Sequence, residues 1–184
     1  MKKIIIAVFV ASSLLLYSTQ AFALLNFSVG VPLSHTFTGK SVSGDDIESD
    51  GSPSGYFIQI GMPMLPGIGM DSYKAQVKCP TCDNPFYVST TMYNLYYLLP
   101  IPIINLTIGL GTGKTEYSYG GVAIDDGAAT QWYTSFGIPI IPLFDLHLSY
   151  RSISSKIEST SGRDKGTKYD YGGSVMGLGI GFNF

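Results

Sequence analysis

Residues 174–184, SVMGLGIGFNF, decide the fold class of this chain. The even positions from 176 to 184 are all apolar, and positions 177, 179 and 181 are glycines. Alternation with a period of two residues is the pattern of a β-strand, whose successive side chains point to opposite faces. The segment therefore predicts a strand with one apolar face and one face almost without side chains.

The same alternation recurs in further segments and gives eight predicted strands. In residues 25–33 the odd positions are apolar and the even positions are small or polar. The apolar phase of residues 68–77 slips between Met70 and Tyr73, and we expect a β-bulge there. The predicted strands cover residues 25–34, 56–62, 68–77, 87–99, 106–111, 132–138, 146–151 and 176–184.

The connections between these strands alternate between long and short. The long ones are polar and glycine-rich, and the short ones are apolar and contain proline, which suits a strand end because it cannot donate to the ladder. Long loops at one end and short turns at the other are typical of an outer-membrane barrel. Long loops are predicted at 38–54, 78–85, 118–129 and 154–167, and short turns at 62–67, 100–105 and 138–143.

The N-terminal residues 1–23 predict a cleaved signal peptide. Lys2 and Lys3 precede an apolar run over residues 4–16, and Ala21-Phe22-Ala23 has the form of a cleavage site. The run is shorter than the roughly 20 apolar residues that a transmembrane helix needs. Loss of the two lysines changes the net charge from −2 to −4, which disfavours a nucleic-acid partner.

The composition indicates a surface that largely avoids water. Hydrophobic residues make up 45% of the chain and charged residues 13%, against about 25% charged residues in an ordinary soluble domain. Lipid admits only helices and closed barrels, and no later run is long enough for a helix. The alternative is a soluble β-barrel, but the polar face has too many glycines to fill an apolar core. We therefore predict an all-β, closed, up-and-down antiparallel transmembrane barrel over residues 24–184.

The end of the chain, with Gly179, Phe182 and Phe184, resembles the C-terminal signal by which the outer-membrane assembly machinery recognises its clients. Together with the signal peptide, the strand count and the loop pattern, the chain resembles the small eight-stranded outer-membrane proteins, the class of the OmpA transmembrane domain, OmpX and OmpW. The resemblance implies a Gram-negative cell envelope, with outer-membrane lipid, lipopolysaccharide and the assembly machinery as partners. The long loops would face outside, and both termini would be periplasmic.

Strand parity predicts a polar interior. Eight strands enclose a space only wide enough for side chains, so we expect a filled barrel rather than an open pore. Glycines at positions 109–113 and 177–181 would leave room for Tyr96, Tyr133 and Arg151. The predicted interior residues are Asn26, Ser28, Gln59, Asn94, Tyr96, Tyr133, His147, Ser149 and Arg151. The residues predicted for the interfacial girdles are Tyr93, Tyr97, Tyr117, Trp132, Tyr150 and Phe184.

The two cysteines, Cys79 and Cys82, form a C-x-x-C motif in the second long loop. In an exported protein this motif predicts a disulfide, which would stiffen the loop. A redox role is disfavoured because no predicted helix follows to lower a thiol pKa. Two thiols alone are also too few ligands for zinc.

A catalytic interpretation involves His147, Ser149 and Glu158. The histidine and the serine share one face of a strand, and a carboxylate could orient the imidazole. The H-x-S pattern resembles that of the eight-stranded lipid A 3-O-deacylases. Tyr150 and Arg151, however, replace the small polar run of that family, and parity turns His147 inward, whereas the family's site faces lipid. We favour the alternative, an interior polar pair hydrogen-bonded to neighbours such as Arg151.

No other motif predicts a cofactor or a metal. The acidic clusters in residues 45–50 and at Asp125 and Asp126 do not match the calcium-loop pattern, and residues 109–115 lack the spacing of a phosphate-binding loop. Three classes of function stay open. The favoured one is a non-enzymatic structural or surface protein whose external loops make contacts. The others are a narrow channel or binding barrel for small, possibly apolar, solutes, and a lipid A-modifying acyl hydrolase.

Overall fold

The computed structural model describes residues 25–40, 46–62, 65–79, 82–99, 101, 104–141, 143–160 and 165–184. These residues form the strands β1 (Asn26–Phe37), β2 (Ser54–Gly61), β3 (Pro66–Val77), β4 (Phe86–Leu99), β5 (Asn105–Tyr119), β6 (Val122–Ile141), β7 (Phe144–Glu158), β8 (Lys168–Asp170) and β9 (Gly173–Asn183). No helix in this part of the chain has the length and apolar character needed to cross a membrane. The predicted signal peptide lies outside the described residues and stays a prediction.

The strands close into a barrel. Each strand from β1 to β7 pairs antiparallel with the next, and β9 pairs with both β7 and β1. The short strand β8 pairs with the far end of β7 and extends the wall there. Eight strands therefore form the closed wall, as predicted. Closure removes the free sheet edges that would leave backbone groups unpaired in lipid.

The outer face carries a continuous apolar belt. On β7, Leu146, Leu148 and Tyr150 point outward and are exposed, whereas the residues between them are buried. The outward residues from Trp132 to Ile140 on β6 span about 27 Å along the strand, or about 20 Å along the axis at the usual tilt. This height is close to the apolar band of outer-membrane barrels, about 25 Å. Exposed aromatic residues end the belt towards the long loops: Tyr56, Tyr93, Trp132 and Tyr150.

The belt divides the molecule into two parts. We call the part that it surrounds, which includes the short turns, the start of β1 and the end of β9, the belt half. The part beyond the aromatic residues, which includes the long loops, is the loop half. In the described residues every lysine lies in the loop half: Lys40, Lys74, Lys78, Lys114, Lys156, Lys165 and Lys168.

The predicted bulge in β3 is wrong. β3 pairs with β2 and β4 without interruption through Met70 and Tyr73. The apolar pattern changes there because Asp71 and Tyr73 both point into the barrel, which has a polar layer at one level and an apolar layer at the next. A register shift lies instead in β1, between Pro32 and Ser34 where it pairs with β9.

The third long connection is also not a loop. β5 continues to Tyr119 and β6 begins at Val122, so a tight turn at Gly120 and Gly121 joins them. Both glycines have positive φ, 57° and 85°, which is the backbone of a two-residue hairpin turn. Residues 122–129, predicted as loop, pair with β5 and lengthen the barrel wall. The central prolines of the first two short turns, Pro63 and Pro102, lie outside the described residues.

Candidate functional site

The interior of the belt half is polar and buried, as strand parity predicts. Every predicted interior residue, from Asn26 on β1 to Arg151 on β7, is buried in the structure. The side chains form two hydrogen-bonded layers, one near the short turns and one near the middle of the barrel. Their contacts decide whether the barrel can conduct or catalyse.

The first layer closes the barrel near the short turns. Asp145 accepts hydrogen bonds from the amide nitrogens of Asn105 and Asn183, the latter at 2.6 Å. Asn183 in turn accepts a bond of 2.7 Å from Nδ2 of Asn26. Strands on opposite sides of the barrel are thus joined through one buried carboxylate.

The second layer centres on an ion pair in the middle of the barrel. Nε of Arg151 lies 3.0 Å from Oδ2 of Asp71, and both side chains are almost fully buried. Gln131 donates to the same carboxylate at 2.6 Å, and the guanidinium lies 3.5 Å above the ring of Phe57. A buried ion pair needs such additional partners, because desolvation otherwise outweighs the attraction between the charges. Asp71 was not among the predicted interior residues, because a bulge was expected beside it, whereas β3 pairs regularly there.

Glycines provide the space for the large interior side chains. A Cβ at Gly109 would lie 2.3 Å from the ring of Tyr133, which confirms the prediction for that tyrosine. For Tyr96 the prediction named the wrong glycines, because its ring lies against Gly61 and Gly67 of β2 and β3. Large side chains therefore fill the interior, and glycines occupy the positions where a Cβ would clash with a neighbouring ring.

The structure separates Glu158 from the other two residues of the catalytic interpretation, His147 and Ser149. His147 and Ser149 are both buried inside the barrel and do not face the belt. The hydroxyl of Ser149 accepts a hydrogen bond from Arg151, and Nδ1 of His147 lies 3.4 Å from the hydroxyl of Ser135. Glu158 lies roughly 35 Å along β7 from His147, where it is exposed and 3.6 Å from Lys168. It cannot orient the imidazole.

Above the mid-barrel layer the interior is mostly apolar, although His35, Thr90, Thr115 and Ser155 are also buried there. The first cluster consists of Phe57, Tyr73, Met92, Ala129, Ile153 and Val175. The second, nearer the loops, consists of Phe37, Ala75 and Val88, with Ile47, Val77, Tyr117 and Tyr171 packed against it. Tyr117, predicted to face the lipid girdle, instead points inward at the loop end and stacks on Phe86 at 5.3 Å. Inside the barrel the ring of Tyr117 contacts the rings of Phe86 and Tyr171, which explains its inward position.

A cavity of about 320 Å³ opens above the second cluster at the loop end. Volumes of this order are typical of small-molecule sites. We call it the loop-end cavity. It is lined by Lys40, Ile47, Val77, Lys78, Cys79, Phe86, Tyr117, Ile124, Asp125, Ile157, Ser159, Tyr169 and Tyr171.

The walls of the loop-end cavity are held by backbone hydrogen bonds. The first long loop returns along the end of β3, where Asp50 donates to Gln76 and Lys78 donates to Glu48, both at 2.9 Å. In the next loop, Cys79 and Cys82 lie in disulfide geometry with their Cα atoms 5.5 Å apart. Their oxidation stays a prediction. Tyr171, between β8 and β9, donates its N–H to the carbonyl of Ser155.

The charged groups that line the cavity differ in whether they form an ion pair, hydrogen bonds or neither. Nζ of Lys78 lies 2.6 Å from Oε2 of Glu48, and this contact lowers the pKa of the Glu48 carboxyl. Oδ1 of Asp125 accepts bonds from the N–H and the hydroxyl of Thr160. In the described residues no carboxylate lies within ion-pair distance of Lys40.

Aromatic rings form one side of the cavity. Tyr117 stacks on Tyr171 with 5.1 Å between ring centroids, and Tyr169 lies 6.4 Å further on. Burial raises the pKa of Tyr171 to about 12, so its hydroxyl stays protonated at physiological pH. In the described residues no group of three or more His, Cys, Asp or Glu side chains could hold a metal ion.

The fold, rather than the sequence, relates this chain to known proteins. No family model matches it, and no curated protein matches it significantly. Neisserial surface protein A has a similar structure, with a TM-score of 0.58 at 15% identity, covering 87% of this chain and 97% of that one. The outer membrane protein OprG from Pseudomonas aeruginosa gives a TM-score of 0.53 at 12% identity, with 88% and 96% covered. The chain therefore has the fold of the small eight-stranded outer-membrane barrels.

Proposed function

We propose that the chain is a non-enzymatic outer-membrane protein whose barrel anchors a loop-end surface for contacts outside the cell. Its long loops then face outward, and both termini lie in the periplasm. The outer-membrane assembly machinery recognises the C-terminal signal of the barrel, and lipid and lipopolysaccharide surround the assembled protein. The apolar belt supports the membrane placement, because a soluble barrel would have a polar outside.

One observation carries the non-conducting, anchoring role. Two hydrogen-bonded layers cross the interior, one around Asp145 and one around the pair of Asp71 and Arg151. A filled interior opposes passage of a solute, since opening it would leave buried charges without partners. The interior positions of His147 and Ser149 also oppose attack on a lipid ester at the outer wall.

Planar-bilayer recording tests the absence of a pore. We expect the purified barrel to give no stable conductance, and Arg151→Ala to give intermittent conductance because the mid-barrel layer is broken. Steady conductance by the unaltered protein would favour the narrow channel instead.

Lipid A from cells with and without the protein tests the enzymatic alternative. We expect identical mass spectra with the unaltered protein and with Ser149→Ala. Loss of an acyl chain with the unaltered protein alone would show that the hydrolase interpretation is right.

Labelling of intact cells tests the orientation. A short epitope inserted between Gly120 and Gly121, at the tip of the β5–β6 hairpin, should bind antibody without permeabilisation. Binding only after the outer membrane is opened would place the loop half in the periplasm and contradict the proposal.

A further inference from the structure

The loop-end cavity has the build of a ligand site that is formed before the ligand arrives. Backbone hydrogen bonds hold the first loop against β3 and hold Tyr171 against β7. The buried cluster of Phe37, Ala75 and Val88 lies beneath it. A pocket with pre-formed walls loses little conformational entropy when it binds.

We propose that the loop-end cavity binds a small, flat aromatic molecule that carries one negative charge. The lining chemistry is the basis of this assignment, and it does not depend on which side of the membrane the loops face. It therefore goes beyond the anchoring role proposed above.

The lining selects an aromatic body. Phe86, Tyr117 and Tyr171 stack in series along one wall, with 5.3 and 5.1 Å between successive ring centroids. Aromatic rings attract further rings by offset or edge-to-face contact, worth about 0.5–1.5 kcal/mol beyond the area that they bury. Aliphatic side chains, including Ile47 and Ile157, complete the lining. A rigid planar ligand gains from both surfaces and loses little entropy.

The ammonium of Lys40 favours an anionic group on the ligand. Two of the charged side chains that line the cavity are lysines and one is an aspartate. Lys78 is paired with Glu48, whereas Asp125 keeps its negative charge and accepts hydrogen bonds from Thr160. Asp46 lies opposite Lys40 in a β-bridge, but in the described residues no carboxylate oxygen lies within ion-pair distance of the Lys40 ammonium. A ligand carboxylate beside Lys40 would form a charge-assisted hydrogen bond, which is stronger than a neutral one.

Calorimetric titration of the full barrel in lipid nanodiscs, with empty nanodiscs as the blank, tests this assignment. The probes are 2-naphthoate, its uncharged analogue 2-naphthalenemethanol, and octanoate, which has the charge without the rings. We expect 2-naphthoate to bind at least fivefold more tightly than either of the others. Equal affinity for the alcohol would overturn the charge assignment, and equal affinity for octanoate would overturn the aromatic one.

Substitutions locate the binding in the cavity. Lys40→Gln should weaken 2-naphthoate binding about fivefold, which is about 1 kcal/mol, and should leave the alcohol unchanged. Tyr171→Leu should weaken both naphthyl probes up to about tenfold. Lys74→Gln is the matched control, because Lys74 lies on the outer wall over the ring of Tyr87 and does not line the cavity.

Heat-modifiable migration on a gel shows that each variant is a closed barrel before it is titrated. An equal loss of binding in the Lys40 and Lys74 variants would mean that the probe binds the general surface, and the proposal would fail. Binding that survives both Lys40→Gln and Tyr171→Leu unchanged would also overturn it. Neither result bears on membrane orientation or conductance, so the anchoring role would be unaffected.

Discussion

The belt half and the loop half of this barrel place their apolar side chains on opposite faces of the wall. In the belt half, leucines and isoleucines point outward while Asn, Gln, Asp and Arg fill the interior. In the loop half, Lys114, Lys156 and Glu158 point outward. Most of the side chains in its interior are apolar, among them Phe37, Val88 and Ile157. The same strands pass through both halves and keep the same alternation.

This difference shows that the surrounding solvent, and not the strand itself, decides which face is apolar. Lipid around the belt half makes an apolar outside favourable and leaves polar side chains to satisfy one another within. Beyond the belt, water makes an apolar interior favourable, as in a soluble protein. On β7 the apolar side chains change from the outer to the inner face between Tyr150, which points outward, and Ile153, which points inward.

The largest effect is expected from replacing both C-terminal phenylalanines. Phe182 and Phe184 face the lipid side of the belt half, and their rings stack on each other with centroids 6.4 Å apart. The double change to serine should cost about 3–6 kcal/mol of transfer free energy and most of the assembled protein. Heat-modifiable migration of membrane fractions measures the folded fraction.

The double change to leucine separates two reasons for that loss. It keeps the apolar area, so the barrel should fold in lipid vesicles in vitro. Failure of the leucine variant in cells alone would show recognition of the aromatic signal. Full assembly of the serine variant in cells would contradict both reasons.

The second effect concerns the mid-barrel ion pair. Arg151→Met leaves the carboxylate of Asp71 buried without its partner and should lower the free energy of unfolding by about 3–5 kcal/mol. Urea unfolding in vesicles, followed by the fluorescence of Trp132, the only tryptophan of the chain, measures it. Adding Asp71→Leu should recover most of the loss. If Arg151→Met alone were as stable as the variant with both changes, the ion pair of Arg151 and Asp71 would not be buried from water.

The third effect tests the inversion directly, with one substitution made at two heights of β7. Leu148→Arg places a charge in the belt and should cost about 2–4 kcal/mol. Ser154→Arg lies on the same outer face in the loop half and should change stability by no more than about 0.5 kcal/mol. The same unfolding experiment compares them, and equal costs would contradict the boundary at Tyr150.

The smallest effect is expected from the cysteines. Cys79 and Cys82 should resist maleimide in the exported protein unless a reductant is added first. Replacing both with serine should cost at most about 2 kcal/mol, because the bridge closes only a very short loop. Maleimide labelling without reductant would show free thiols and contradict the disulfide.

The sequence predicted the barrel and its belt because each depends on local alternation. Strand parity correctly placed Tyr133, His147 and Arg151 inside. Successive side chains of a strand point to opposite faces, so placing the apolar residues on the lipid side places the residues between them in the interior. The eight-strand count followed from the same alternation and from the prolines of the short turns.

The errors arise where the interior itself changes from polar to apolar. Asp71 and Tyr73 both point inward, so a rule that assigns apolar residues to the outside must break between them. Tyr117 was placed in the girdle for the same reason. Side chains continue to alternate between the two faces of the strand in these places. Beyond the belt, however, apolar residues point inward instead of outward.

The loop-end cavity could not be predicted at all. It depends on the first loop returning to β3 and on Tyr171 reaching Tyr117, contacts between residues far apart in sequence. Polar loop composition gives no periodicity from which such contacts could be inferred. Only the cysteine pair marked the region beforehand.

The seam between β1 and β9 has a consequence for the order of folding. Asn26 pairs with Asn183 across nearly the whole chain, whereas the β5–β6 hairpin turns within two glycines. Loop-closure entropy makes the distant pairing slow and the local one fast. We expect the hairpin to form early and the seam to join last. Until then the first and last strands expose free edges, so the time spent before closure sets the exposure of the nascent barrel to aggregation.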